Sequence, residues 1–242
     1  MLLAVDIGNT NIVIGAFSGN KITRRQREVS KNSVVLKRVP GYFNAVYIAS
    51  VVPALTKIVK QKVRKLYKVD PVIVDWKMIK GLNIAVKNKG QVGIDRLVNA
   101  VAAVTLYGKP LIIIDFGTAT TFCVVDRSGK YLGGAITSGL AISRDVLHER
   151  TAKLPLVKIA RPGRAIGRNT AEAMKSGLFY GYIEMVEGMV ARLAIEMKAI
   201  PKVVATGGLA KVIAKGTRIF DAIDPDLTLK GLNIIYKERR VR

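Results

Sequence analysis

Two carboxylates in this chain stand in the same setting. Asp6 follows an apolar run (Leu2, Leu3, Ala4, Val5) and precedes Ile7, Gly8, Asn9 and Thr10, after which Asn11, Ile12 and Val13 open a second apolar run through Phe17. The pattern reads as a buried strand, a tight turn at Gly8 and a strand returning beside the first. Such a turn offers backbone N–H groups, a Thr hydroxyl and an Asn amide to phosphate oxygens, and Asp6 can hold a hard cation such as Mg²⁺ directly or through water. Alone, it could equally be a polar hairpin with an ordinary Asp-Gly type turn.

The pattern occurs twice. Ile113-Ile114-Asp115-Phe116-Gly117-Thr118-Ala119-Thr120-Thr121-Phe122 repeats it, with Asp6 to Asp115 and Gly8 to Gly117 both 109 residues apart. At the same offset Ser18-Gly19-Asn20-Lys21 falls opposite Arg127-Ser128-Gly129-Lys130, so each hairpin ends in a similar second turn. Two like domains are the economical reading. Facing each other across a cleft, the two hairpins would hold a nucleotide phosphate chain and its metal.

A third carboxylate, Asp95, lies in Gly93-Ile94-Asp95-Arg96 at the start of an expected helix over 95–107, with Leu97, Ala100, Val101 and Val104 on one stripe. By residue type alone Asp95 is a helix cap and Arg96 a surface ion-pair partner. Gly167-Arg168-Asn169-Thr170 precedes a helix of almost thirty residues expected from Thr170 to Lys198, and Asn169 with Glu172 has capping-box spacing. Val203-Val204-Ala205-Thr206-Gly207-Gly208-Leu209-Ala210 reads as strand, glycine turn and helix start, where missing side chains would let the backbone lie against a base or ribose.

The duplicated hairpins resemble those of the acetate and sugar kinase, heat-shock chaperone and actin superfamily. Within it, the ordered set of Asp6-x-Gly8-Asn9-Thr10, Gly93-x-Asp95-Arg96, Asp115-x-Gly117-Thr118, Gly167-Arg168-Asn169-Thr170 and Thr206-Gly207-Gly208 closely resembles type III pantothenate kinases, over nearly the whole chain. The resemblance implies a fold of two ribonuclease H-like (actin-like ATPase) α/β domains. It implies ATP-dependent phosphorylation of pantothenate, the first step toward coenzyme A, by a cytoplasmic homodimer. Mg²⁺ and a monovalent cation, K⁺ or NH₄⁺, would serve as cofactors. Asp6, Ile7, Gly8, Asn9, Thr10, Asn11, Ile12, Val13 and Thr118 would bind ATP, and Asp115 the monovalent cation. Gly93, Ile94, Asp95, Arg96 and Thr170 would bind pantothenate, with Asp95 as general base and Arg96 on the substrate carboxylate. One departure stands out: relatives often carry a Tyr and a Pro shortly before Gly-x-Asp-Arg, where this chain has Val86 and Lys89. Two other functions fit the same fold: a non-catalytic regulator akin to the Bvg accessory factor, and another small-molecule kinase.

The elements that must position these groups alternate between strand and helix, as α/β domains do. A first domain over 1–108 and a second over 109–242 are expected. Ala45 to Ala49 is a further strand, Pro53 suits the first turn of a helix over 54–67, and Lys21 to Arg38 combines strand and loop with a short helix. Half of the residues are hydrophobic, which excludes a disordered chain. Cys123 is the single cysteine, so an internal disulfide or cysteine metal site is excluded and a reducing compartment expected. The start lacks a basic leader and a long apolar segment, so neither signal peptide nor membrane span is expected. His148, the sole histidine, is expected on a helix surface.

The 40 Lys and Arg against 17 Asp and Glu give a net charge of +23. A lysine-rich solvated face, a nucleic-acid surface and a field that captures anionic substrates all fit this balance. No helix-turn-helix, zinc finger or RNP-like aromatic motif accompanies it, so nucleic-acid binding is not expected.

Overall fold

The computed structural model describes residues 1–30 and 37–240 and divides into two units: 1–106 with 226–242, and 107–225. The first unit opens with β1 (Leu2–Ile7), β2 (Asn11–Ser18), β3 (Lys21–Val29) and β4 (Ala45–Ser50). It continues with α1 (Pro53–Tyr67), β5 (Val72–Ile73), a two-residue strand β6 (Asn83–Ile84) and α2 (Ile94–Tyr107). The sheet order is β3-β2-β1-β4-β5; β1 pairs antiparallel with β2 and parallel with β4. Leu3, Val5, Ile7, Ile12, Ile14, Val46 and Ile48 of one face bury against Leu55, Val59 and Val63 of α1. Those three positions recur every four residues, the spacing that forms one helical stripe. Pro53 starts α1, where a missing N–H costs nothing. The short helix expected within 21–38 is not seen through Val29, where β3 runs instead; 31–36 lie outside the described residues.

The second unit repeats the plan. β7 (Leu111–Phe116), β8 (Ala119–Val125) and β9 (Lys130–Ser138) form an antiparallel meander, and β10 (Lys202–Thr206) lies parallel to β7 and to β11 (Ala222–Ile223). The order β9-β8-β7-β10-β11 mirrors that of the first unit. β1 and β7, and likewise β3 and β9, begin and end 109 residues apart, so the duplication extends from motif to sheet. Between β9 and β10 run α3 (Leu140–Glu149), α4 (Thr170–Ser176) and α5 (Tyr182–Met197), and α6 (Ala210–Ile213) follows β10.

The helix expected from Thr170 to Lys198 is helical through Met197 and widens at a π-helical segment, Gly177–Gly181, which joins α4 to α5. The wider π turn keeps Met174, Leu178, Phe179, Tyr182, Ile183, Val186 and Val190 buried in one core despite a spacing that a uniform helix would rotate out of line. The expected domain boundary needs correction: the last helix, α7 (Leu227–Arg240), belongs to the first unit, not the second. It packs on β1, β2 and β4, and the Leu229 side chain fills the space over Gly15, 2.9 Å from where a Cβ would stand.

Candidate active site

At the carboxyl end of β1, Asp6 is half-buried and Asn9 and Thr10 are exposed. The turn is fixed by its own backbone: the Gly8 N–H donates to the Asn11 carbonyl at 3.0 Å, and the Ser30 N–H to the Thr10 carbonyl at 2.9 Å. The Ser30 hydroxyl donates to the Gly8 carbonyl at 2.7 Å, so the end of β3 locks the turn. No local pattern flags Ser30; only the fold brings it to Gly8. Ile7, Ile12 and Val13 serve as strand residues, with Ile7 and Ile12 fully buried, so what they offer a ligand is backbone.

Asp95 belongs to the same unit. The Val51 N–H donates to the Ile7 carbonyl at 3.2 Å, and a Cβ on Gly93 would lie 3.7 Å from Val51 Cγ1. Gly93 and the start of α2 therefore lie close to the ends of β1 and β4. That Cβ would also stand 2.5 Å from Asp95 Oδ1, so glycine at 93 is the room that the carboxylate occupies. Oδ1 accepts the Arg96 N–H at 2.8 Å. Burial pushes the Asp95 carboxyl above the ordinary aspartate range, and the Arg96 N–H and guanidinium charge oppose it without cancelling it. A carboxylate pushed up by burial at the mouth of a helix is a candidate base rather than a mere cap.

In the second unit Asp115 repeats the Asp6 position with different neighbours. Its row across the sheet contains Thr121 on β8 and Thr206 on β10, whereas Asp6 is flanked by Val13 and Ala49. A carboxylate between two threonines is an all-oxygen donor set, suited to a hard cation. Gly207, at φ +91°, lies so close that a Cβ would stand 2.5 Å from Asp115 Oδ1 and 2.6 Å from the Phe116 nitrogen. Gly139 donates its N–H to the Thr118 carbonyl at 3.1 Å, which closes the turn around Thr118. Thr120 turns inward: fully buried, its hydroxyl bonds that of Tyr182, which makes it a core group rather than a phosphate ligand.

Thr170 is exposed at the first position of α4. Asn169 caps this helix, accepting the Glu172 N–H at 2.9 Å, and Glu172 reaches back to the Arg168 N–H at 2.9 Å. Capping thus falls to Asn169 and leaves the Thr170 side chain to solvent. His148 is exposed on α3, its Nδ1 2.8 Å from the Leu154 carbonyl, a structural contact. Asp6, Gly8, Asn9, Thr10, Gly93, Ile94, Asp95 and Arg96 all lie in the first unit, and Asp115, Thr118 and Thr170 in the second.

The family profile described as type III pantothenate kinase matches residues 2–192. A protein named type III pantothenate kinase from Bacillus cytotoxicus is 41% identical, over 100% of this chain and 97% of its own. Among solved structures, a conserved Campylobacter jejuni protein of the Baf transcriptional-activator family has a TM-score of 0.68 at 18% identity, covering 99% of this chain and 100% of that one. The activator of the 2-hydroxyisocaproyl-CoA dehydratase from Clostridium difficile, solved with bound ADPNP, has a TM-score of 0.53 at 11% identity, covering 100% and 97%. These structural likenesses bear on the fold, which is that of the actin-like ATPases and sugar kinases; the sequence matches go further, and by them this chain belongs to the type III pantothenate kinase family.

Proposed function

We propose that this chain transfers the γ-phosphoryl group of ATP to the terminal hydroxyl of pantothenate, giving 4'-phosphopantothenate, the first step toward coenzyme A. The observation that carries the reading is Asp95: a carboxyl pushed up by burial, seated over Gly93 near the strand ends that present the Asp6 turn. As the substrate oxygen bonds to the γ-phosphorus, the bond from phosphorus to the β,γ-bridging oxygen breaks and ADP leaves. Asp95 takes the hydroxyl proton, and Arg96 holds the pantothenate carboxylate with its planar two-donor fork. The Asp6 to Thr10 turn carries the phosphates on backbone N–H groups, with Asn11, Ile12 and Val13 continuing the ATP-contacting strand, and Thr118 contributes a further ATP contact. Thr170, exposed beside its cap, contacts the pantothenate.

Two cations complete the assignment. Asp6 would hold Mg²⁺ directly or through water, and Asp115, with Thr121 and Thr206 in its row, would hold K⁺ or NH₄⁺. Their chemistry is to neutralise charge on the phosphate chain. A homodimer is supported by Gly177, Gly181 and Gly188, where an added Cβ would meet nothing within 4 Å, so packing inside the described chain does not account for them. No helix among the described residues is long and apolar enough to cross a membrane, and a cytoplasmic setting accords with a single, buried Cys123. An ADP-release assay with pantothenate, with and without K⁺, tests the whole. Turnover with pantothenate and stimulation by K⁺ are expected, whereas preference for a sugar or acetate as acceptor would overturn the assignment.

A further inference from the structure

We infer that Arg27 binds the phosphate tail of the nucleotide, an inference that rests on the Asp6 to Thr10 turn being the phosphate cradle. Strand register supplies the geometry. Asp6 lies opposite Val13 in the β1–β2 pair, and Val13 lies opposite Arg27 in the β2–β3 pair. Residues directly opposite in antiparallel pairs share a face, so Arg27, Val13 and Asp6 form one row across three strands. Two strand spacings put the Arg27 and Asp6 Cα atoms roughly 10 Å apart. An arginine reaching along the sheet and a phosphate bound at the turn would together fill such a gap.

The neighbouring row shows what α7 covers. Arg25, Gly15 and Ala4 form that row; Leu229 fills the space over Gly15, and Arg25 Nε reaches Asp226 Oδ1 at 2.6 Å. From there α7 runs toward the far end of the sheet, where Asn233 donates to the Gly19 carbonyl at 3.0 Å and Lys237 bonds Asn20. The row of Arg27, Val13 and Asp6 lies on the other side of the helix start, with Arg27 exposed and Val13 and Asp6 half-buried. Two arginines on one face of one strand thus differ: Arg25 is held by a carboxylate of the fold, and no ion pair among the described residues engages Arg27.

The duplicate supplies a control. In the second unit the same row reads Ile136, Thr121 and Asp115, and Ile136 is 63% exposed. The architecture does not require a cation at this place; only the first hairpin has one. A planar guanidinium beside a metal-holding carboxylate and a phosphate-binding turn matches the charge and geometry of a nucleotide's β- and γ-phosphates. The competing account is that Arg27 merely keeps the edge strand β3 from pairing with other chains.

Equilibrium titration of the full chain with ATP, ADP and adenosine, beside steady-state kinetics, separates the two. Arg27→Ala should weaken ATP by about tenfold or more, the size expected for a lost charge-assisted hydrogen bond, and ADP less. Adenosine affinity, KM for pantothenate and Tm should be unchanged, and Arg27→Lys should recover part of the loss. Thr10→Val, measured in parallel, reports on the turn itself. If Arg27→Ala binds ATP like the wild type while Thr10→Val binds it weakly, the role of Arg27 is overturned and the turn stands. If neither variant loses affinity, both readings fall together.

Discussion

At the scale of single residues, the decisive group is Asp95. A base with a raised pKa is ionised only at higher pH, so the acid limb of the kcat/KM profile should lie above the ordinary carboxylate range. The same shift has a consequence for stability. Because the folded-state value is raised, the favourable contribution of Asp95 is fully present below its unfolded value and is lost as pH rises through the folded value. At neutral pH the buried, ionised carboxylate therefore costs the fold something. Asp95→Asn keeps an oxygen for the Arg96 N–H, so this variant should be at least as thermostable as the wild type at neutral pH, with any advantage shrinking in acid. Its turnover should fall by roughly 10²- to 10⁴-fold, the usual contribution of a general base, with ATP binding intact. Ordinary turnover in Asp95→Asn, followed by ADP release, would remove Asp95 from the role.

At the scale of elements, the glycines of the α4–α5 region bear a test. Gly181 and Gly188 are exposed and have open space where side chains would stand, so on propensity alone alanine should stabilise an isolated helix by about 1 kcal/mol at each. If another copy packs closely here, the added methyls act in the opposite direction. Gly181→Ala with Gly188→Ala should shift sedimentation toward monomer while helicity is kept; a thermostabilised variant with unchanged association would move any dimer interface elsewhere. This region also marks where the sequence was hard to read. Asn169 and Glu172 announce the start of α4 by local chemistry, but the π segment answers to the core, since its wide turn keeps Phe179 and Tyr182 buried with Met174 and Val190. The hairpins were legible because each is local: apolar strand, Asp-x-Gly, apolar strand. The return of α7 to the first sheet was not, because its partners, β1 and β2, stand more than 200 residues earlier in the chain. Ser30 on the Gly8 carbonyl and the row joining Arg27 to Asp6 were hidden for the same reason: strand register, not sequence proximity, creates them.

At the scale of the molecule, duplication and charge belong to one argument. The two sheets share strand order, with the second hairpin one residue shorter at its turn, and the residues beside the two aspartates have diverged: Val13, Ala49 and Arg27 around Asp6, Thr121, Thr206 and Ile136 around Asp115. Two copies of one hairpin have taken on different electrostatic surroundings, one with an arginine in its row and one with threonines. The substrates are anionic, and the chain carries +23. On α1 and its C-terminal cap the cations Lys57, Lys65 and Lys68 are exposed while Leu55, Val59 and Val63 face the core, so these cations spend their charge on solvent and on the surrounding field, whereas Arg64 pairs with Asp70 at 2.6 Å. A positive field speeds capture of ATP and is screened within about 10 Å at 0.1 M salt. The kcat/KM for ATP should therefore fall as NaCl is added at a fixed KCl concentration, while kcat stays nearly level. Replacing Lys57, Lys65 and Lys68 by glutamine should flatten that salt dependence without touching kcat. A steep salt dependence that survives the triple substitution would assign the effect to the site's own charges, Arg27 and Arg96 among them, rather than to the distributed surface.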